Sequence, residues 1–154
     1  MAVEKVRTET RRSSDSGPNA AGISHALVSR MEDQLDPITR RVIGAAIAVH
    51  RFLGPGLLES VYRNALAIEM ECGGIEFERE RVIKVSYHGQ SIGEFHPDFI
   101  IQGTVVVEVK SASAHDRVFD AQVLTYLRLT GLRTGLLLNF GRPVLKDGIK
   151  RFVL

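Results

Sequence analysis

The sequence predicts an α/β chain built on one mixed β-sheet flanked by helices, in the order α-α-β-β-β-α-β(-β). Three observations carry this expectation. Two stretches with helical apolar spacing come before any strand-like stretch. Three β-prone stretches follow, joined by short turns that contain glycine. A helix-length segment then separates the strand ending at Lys110 from the apolar run that starts at Gly135, and a crossover of that length makes the two strands parallel.

Residues 1–30 read as a disordered tail, because Arg11 to Gly22 is rich in Ser, Gly, Pro and Asn and has no apolar periodicity. Residues 31–154 then form one domain, a length that suits a single hydrophobic core. Asp36-Pro37 opens the first helix, with Asp36 as N-cap and Pro37 at the first helical position. Ile38, Val42, Ile43, Ala46, Ile47 and Val49 give it an apolar stripe, and Gly54-Pro55-Gly56 breaks it. His50, near its end, reads as a polar contact to neighbouring backbone rather than a ligand. Leu57 to Cys72 is the second helix, stopped by Gly73-Gly74. Glu78 to Tyr87 reads as a strand, with Ile83, Val85 and Tyr87 alternating against Lys84 and Ser86. His88-Gly89 is a tight turn, and Gln90 to Ile101 returns as the next strand. Thr104 to Lys110 is nearly all apolar up to Glu108, as a strand buried on both faces should be. Asp116 caps a third helix that runs to Gly131, Gly135 to Phe140 is a short buried strand, and Gly148 to Leu154 offers an edge strand.

Composition narrows the class. Apolar content of 44% and charged content of 25% are ordinary for a globular domain, and no apolar run is long enough to span a bilayer. The N-terminus lacks the apolar segment of a secretory signal, and the single Cys72 suits a reducing compartment, so the expected location is cytoplasmic. One cysteine also excludes an internal disulfide and a cysteine-rich zinc site. Net charge is only +2, but its distribution is uneven. Residues 32–116 carry 8 Lys/Arg against 13 Asp/Glu, whereas residues 117–154 carry 7 against 2. An acidic body followed by a basic last quarter fits metal on one side and phosphate contacts on the other; a solvated basic surface explains the charge alone equally well.

The chemistry concentrates between Glu94 and Lys110. Two β-prone segments flank Gln102-Gly103 and carry Asp98, Glu108 and Lys110 in apolar surroundings. Ionised groups in an apolar strand are costly unless they pair or hold a metal. Glu108 and Lys110 are two apart and share a face. Asp98 joins them only under one condition. A two-residue turn at Gln102-Gly103 pairs Asp98 with Val107 and puts it on the opposite face, whereas a three-residue loop through Thr104, or an equivalent bulge, pairs it with Glu108.

Pro97-Asp98 followed by Glu108-Val109-Lys110 resembles the motif of the PD-(D/E)XK nuclease superfamily. Gly56-x-x-Glu59-x-x-Tyr62 resembles the signature of its GxxExxY family, small bacterial and archaeal proteins. The likeness extends from His50 and the Gly54-Pro55-Gly56 turn through Ala121-Gln122-x-x-x-Tyr126-Leu127 and Leu138-Asn139-Phe140-Gly141 to Leu145 through Arg151, which covers essentially residues 32–154. Gln122 and Tyr126 are similar in spacing to the Gln-x-x-x-Tyr motif of recombination-exonuclease-like members.

The resemblance implies a restriction-endonuclease-like core and a metal-dependent nuclease acting on nucleic acid, with DNA as the expected substrate. Asp98, Glu108, the backbone carbonyl of Val109 and Glu59 are then the expected ligands of Mg²⁺ or Mn²⁺, hard cations that prefer oxygen. Asp98, Glu108, Lys110 and Glu59 are the expected catalytic set, and Gln122 and Tyr126 the expected nucleic-acid contacts, Tyr126 by hydrogen bonding or by stacking on a base. Plainer readings exist beside these: a dipole-favoured carboxylate for Glu59, a core aromatic for Tyr126, a salt-bridged cluster for Asp98, Glu108 and Lys110. A catalytically silent module binding nucleic acid or a protein is the alternative function. A homodimer or partner protein is expected to supply further contact surface, with no membrane involved.

Overall fold

The computed structural model describes residues 36–154; the tail read at residues 1–30 lies outside the described residues. Helix α1, Pro37–Leu53, starts where Asp36 accepts hydrogen bonds from the Thr39 backbone N–H at 2.8 Å and from its hydroxyl at 2.7 Å. It stops at Gly54, whose positive φ of 68° suits glycine and whose N–H returns to the His50 carbonyl. Burial raises the Asp36 carboxyl, but the two Thr39 bonds and the nearby Arg151 guanidinium outweigh it and hold the group below the ordinary carboxylate range. Asp36→Ala is expected to cost about 0.5–2 kcal/mol in urea melts. Because the folded-state value is lowered, the gap from wild type is full above the ordinary carboxylate value and closes as pH falls through the folded one.

Helix α2, Glu59–Cys72, turns Tyr62, Leu66, Ala67 and Met70 into the core. Leu58 and Ile68, which the helical spacing groups on another side, are 74% and 62% exposed. The helix therefore buries the side that carries its aromatic ring.

The strands depart from the sequence expectation at two places. The stretch Glu78 to Tyr87 is broken into β1, Phe77–Arg79, and β2, Ile83–Tyr87, around Glu80 at φ 47°. The stretch Gln90 to Ile101 is broken into β3, Gln90–Phe95, and β4, Phe99–Ile101, around His96-Pro97-Asp98. Pro97 has no N–H to give a ladder, so pairing stops there. The outer halves β2 and β3 pair only with each other, through the His88-Gly89 turn whose φ values of 48° and 77° are those of a tight hairpin. The inner halves join β5, Val105–Lys110, β6, Thr134–Asn139, and β7, Ile149–Val153, in a sheet ordered β1-β4-β5-β6-β7. Helix α3, Arg117–Thr130, is the crossover that makes β5 and β6 parallel; the other neighbours are antiparallel. This is a mixed sheet between helices, as expected for a restriction-endonuclease-like fold.

Two apolar layers hold the sheet. Val105, Val107, Val109, Leu136 and Leu138 pack against Val42 and Ala46 of α1 and Tyr62, Leu66 and Met70 of α2. On the other face Val106, Leu137 and Phe152 pack against Val123, Tyr126 and Leu127 of α3. Strand β5 is thus apolar on both sides, and Glu108 and Lys110 emerge at its end on the α3 face. No described helix is long and apolar enough to cross a membrane.

Candidate active site

The β4–β5 loop decides whether the acidic residues meet. Phe99 pairs with Val107, Ile100 with Val106 and Ile101 with Val105, which leaves Gln102-Gly103-Thr104 as a three-residue loop. Positive φ at Gln102 and Gly103, and a hydrogen bond from the Thr104 N–H to the Ile101 carbonyl at 2.9 Å, close it. The same register, continued one residue, sets Asp98 opposite Glu108. Past Phe99 the strand has ended, so the Val109 N–H donates instead to Asp98 Oδ2 at 2.7 Å. The bond aims the Asp98 carboxylate at the stretch between Glu108 and Lys110.

Both carboxylates are buried, Asp98 at 5% and Glu108 at 3% exposure. Lys110 Nζ donates to Glu108 Oε1 at 3.1 Å and lies 5.3 Å from the centre of the Phe119 ring, a cation–π contact. Arg63 Nη1 donates to Asp98 Oδ1 at 3.0 Å and reaches Glu80 Oε1 at 3.3 Å. Burial pushes the Glu108 carboxyl up to about 7; the Asp98 charge adds to this and Lys110 opposes it. Burial also raises Asp98, against the Val109 N–H and Arg63.

These residues fit a hard divalent cation. Glu108 Oε2 is buried without a hydrogen-bond partner, an acceptor left over beside a second carboxylate. The nearby acceptors are oxygens, the donor type such ions require.

Glu59 is placed differently from its neighbours. It opens α2, half-buried, and its charge acts on Arg63 one turn along the helix. Among the described residues no group of three or more His, Cys, Asp or Glu is arranged to hold a metal ion, so Asp98 and Glu108 form a pair without it. Gln122 donates to the Tyr126 hydroxyl at 3.0 Å, and the Glu108 and Asp98 charges both reach that hydroxyl. Tyr126 is only 4% exposed and its ring lies T-shaped against Phe95, so it has no free face for a base to stack on.

Other motif residues hold the frame. Tyr62 is fully buried, stacked on Phe140 at 4.7 Å, with its hydroxyl donating to the Gly54 carbonyl and accepting from the Leu57 N–H. It fastens the turn before α2. His50 Nε2 contacts the Arg142 carbonyl at 2.8 Å, the backbone contact expected of it. Two residues were given no role of their own from the sequence. Arg63 gave no signal, because an arginine in a helix is ordinarily solvated. Asn139 accepts from the Ala112 N–H at 2.9 Å and the Gly141 N–H at 3.1 Å, fixing the chain just after Lys110. An asparagine ending an apolar run was the clue, since a buried amide must find partners.

No curated protein and no solved structure matches the chain. A family model described as the PD-(D/E)XK nuclease superfamily matches residues 36–152, which takes in both helices before the sheet, the acidic pair and most of β7. Fold, register and match agree, and the chain belongs to the PD-(D/E)XK nuclease superfamily.

Proposed function

We propose that the protein is a nuclease of the GxxExxY branch that hydrolyses phosphodiester bonds of DNA with Mg²⁺ or Mn²⁺ bound. The observation that carries this reading is the buried Asp98–Glu108 pair, locked by the Val109 N–H, with Lys110 beside it and one Glu108 oxygen unpartnered. Asp98 and Glu108 hold the cation, and the Val109 carbonyl is assigned to it by family resemblance. When bound, it supplies polarisation of the phosphodiester and a more acidic water.

The chain's own groups do the rest. Lys110 carries a positive charge to the phosphoryl oxygens or to the attacking water, and the Phe119 ring limits where its ammonium can go. Arg63 balances the Asp98 charge and holds that carboxylate in place. Glu59 acts on the site through Arg63. Gln122 gives one amide hydrogen to Tyr126 and keeps another, while the Tyr126 hydroxyl keeps its own proton; both can donate to a phosphate. We place the reaction in the cytoplasm, in one domain formed by residues 31–154, with a second copy or a partner protein adding contact surface.

The test is cleavage of labelled single-stranded, double-stranded and branched DNA, with RNA alongside, in Mg²⁺, Mn²⁺ or EDTA. Cutting of a DNA substrate only with metal is the expected result. Binding without cutting under every condition would leave the catalytically silent module as the function.

A further inference from the structure

The face that carries Glu108 and Lys110 continues across the sheet. Glu108 is level with Leu137, and Leu137 with Lys150; Lys110 is level with Asn139. Residues level in adjacent strands share a face. Two strand spacings put Lys150 roughly 10 Å from Glu108. A cleft of about 180 Å³ opens there, with Asn139, Arg142, Lys150, His115 and Asp147 in its lining.

We propose that this cleft binds a phosphate of the nucleic-acid strand one or two nucleotides from the cleaved bond, an inference that rests on the nuclease reading above. Its lining is rich in donors. Asn139 Oδ1 already takes two backbone N–H groups, so its NH₂ is the end left for the cleft. The Arg142 guanidinium is steadied by a bond to the Ser113 carbonyl at 2.9 Å, and its Nε has no partner. Lys150 lies over the Phe152 ring at 5.3 Å and pairs with Asp120, which also meets His115 at 3.2 Å. Amide, guanidinium and ammonium are the groups that position phosphodiesters. Asp147 and Asp120 offset the two permanent cations, so the cleft carries donors with little net charge. That balance suits a singly charged phosphodiester better than a free phosphate dianion. The uneven sequence charge also finds a use here: Arg142 and Lys150 both come from the basic last quarter.

The experiment measures binding of labelled single- and double-stranded DNA by the full chain in EDTA, over a range of salt concentrations. Arg142→Gln and Lys150→Gln are each expected to weaken binding about 3–10-fold and to lower the slope of log affinity against log salt by about 0.7–0.9, the loss of one phosphate contact. Lys150→Arg should keep the wild-type slope. Arg142→Gln leaves the Lys150–Asp120 pair intact, so a fault in that pair cannot mimic the result. A wild-type slope in both Gln variants, or equal losses in Lys150→Arg and Lys150→Gln, would overturn the proposal. If wild type binds no DNA in EDTA, cleavage with metal still decides the nuclease reading, and a titration with dimethyl phosphate, a singly charged diester, read at the Gly148 and Ile149 amides by NMR, decides the cleft separately. Weak saturable shifts there uphold a phosphate site; no shift rejects it.

Discussion

Asp98→Asn is expected to lower metal-dependent cleavage by about a hundredfold or more, since removing a group that merely orients a metal ligand already costs about 10–100-fold. The asparagine can still accept the Val109 N–H, so the register at the end of β5 should survive. What disappears is the negative charge, both for the cation and for Arg63. Asp98→Ala goes further. It leaves the buried Val109 N–H without a partner, an orphan that costs about 1–3 kcal/mol, and Arg63 keeps only Glu80. The two variants should therefore cut equally poorly while differing in urea midpoint. Asp98→Asn cutting at the wild-type rate would remove the site from the chemistry.

Glu108→Gln should stabilise the protein in EDTA above about pH 7. The ionised Glu108 is there buried next to a second carboxylate, and the amide removes that repulsion. Its folded-state value of about 7 lies above the ordinary 4.5, so the group's contribution is full below pH 4.5 and is lost as pH rises through about 7. The loss amounts to about 1–3 kcal/mol. Lys110 is not orphaned by the change, because the amide oxygen still accepts and Asp98 lies near. Saturating Mg²⁺ should reverse the order. At a hundred times its dissociation constant a ligand adds about 2.7 kcal/mol to the form that binds it, and Glu108→Gln has lost a charged ligand. Melts of both proteins, with EDTA and with Mg²⁺, across this pH range check all three signs. A less stable Glu108→Gln in EDTA would mean that Glu108 and Lys110 form a structural salt bridge.

Much of this arrangement was legible in the residues because local rules set it. Asp36-Pro37 and Asp116 start helices by capping, and an apolar β5 followed by a helix-length connection forces a parallel neighbour. Even the demand for an odd β4–β5 loop followed from the two-residue strand period, and the Ile101–Val105 pairing meets it. The breaks were harder. Pro97 was visible, but a proline that ends a ladder looks the same in sequence as one on an edge strand. Glu80 at positive φ had no glycine or asparagine to announce it. Their joint result, a hairpin β2–β3 apart from the main sheet, depends on where the chain goes afterwards. The same holds for the site. Asp98, Glu108 and Lys110 are close in sequence and share one hairpin, whereas Arg63 arrives from α2, 35 residues before its partner Asp98. Tyr126 could be read as core or as contact until its ring was seen against Phe95.

The central claim is that Asp98 and Glu108 together hold a divalent cation, and titration with Mn²⁺ followed by electron paramagnetic resonance tests it without any need for turnover. Wild type should take up Mn²⁺ saturably at a site lost in both Asp98→Asn and Glu108→Gln. Equal uptake by Asp98→Asn and wild type, or no saturable uptake by wild type, would contradict it.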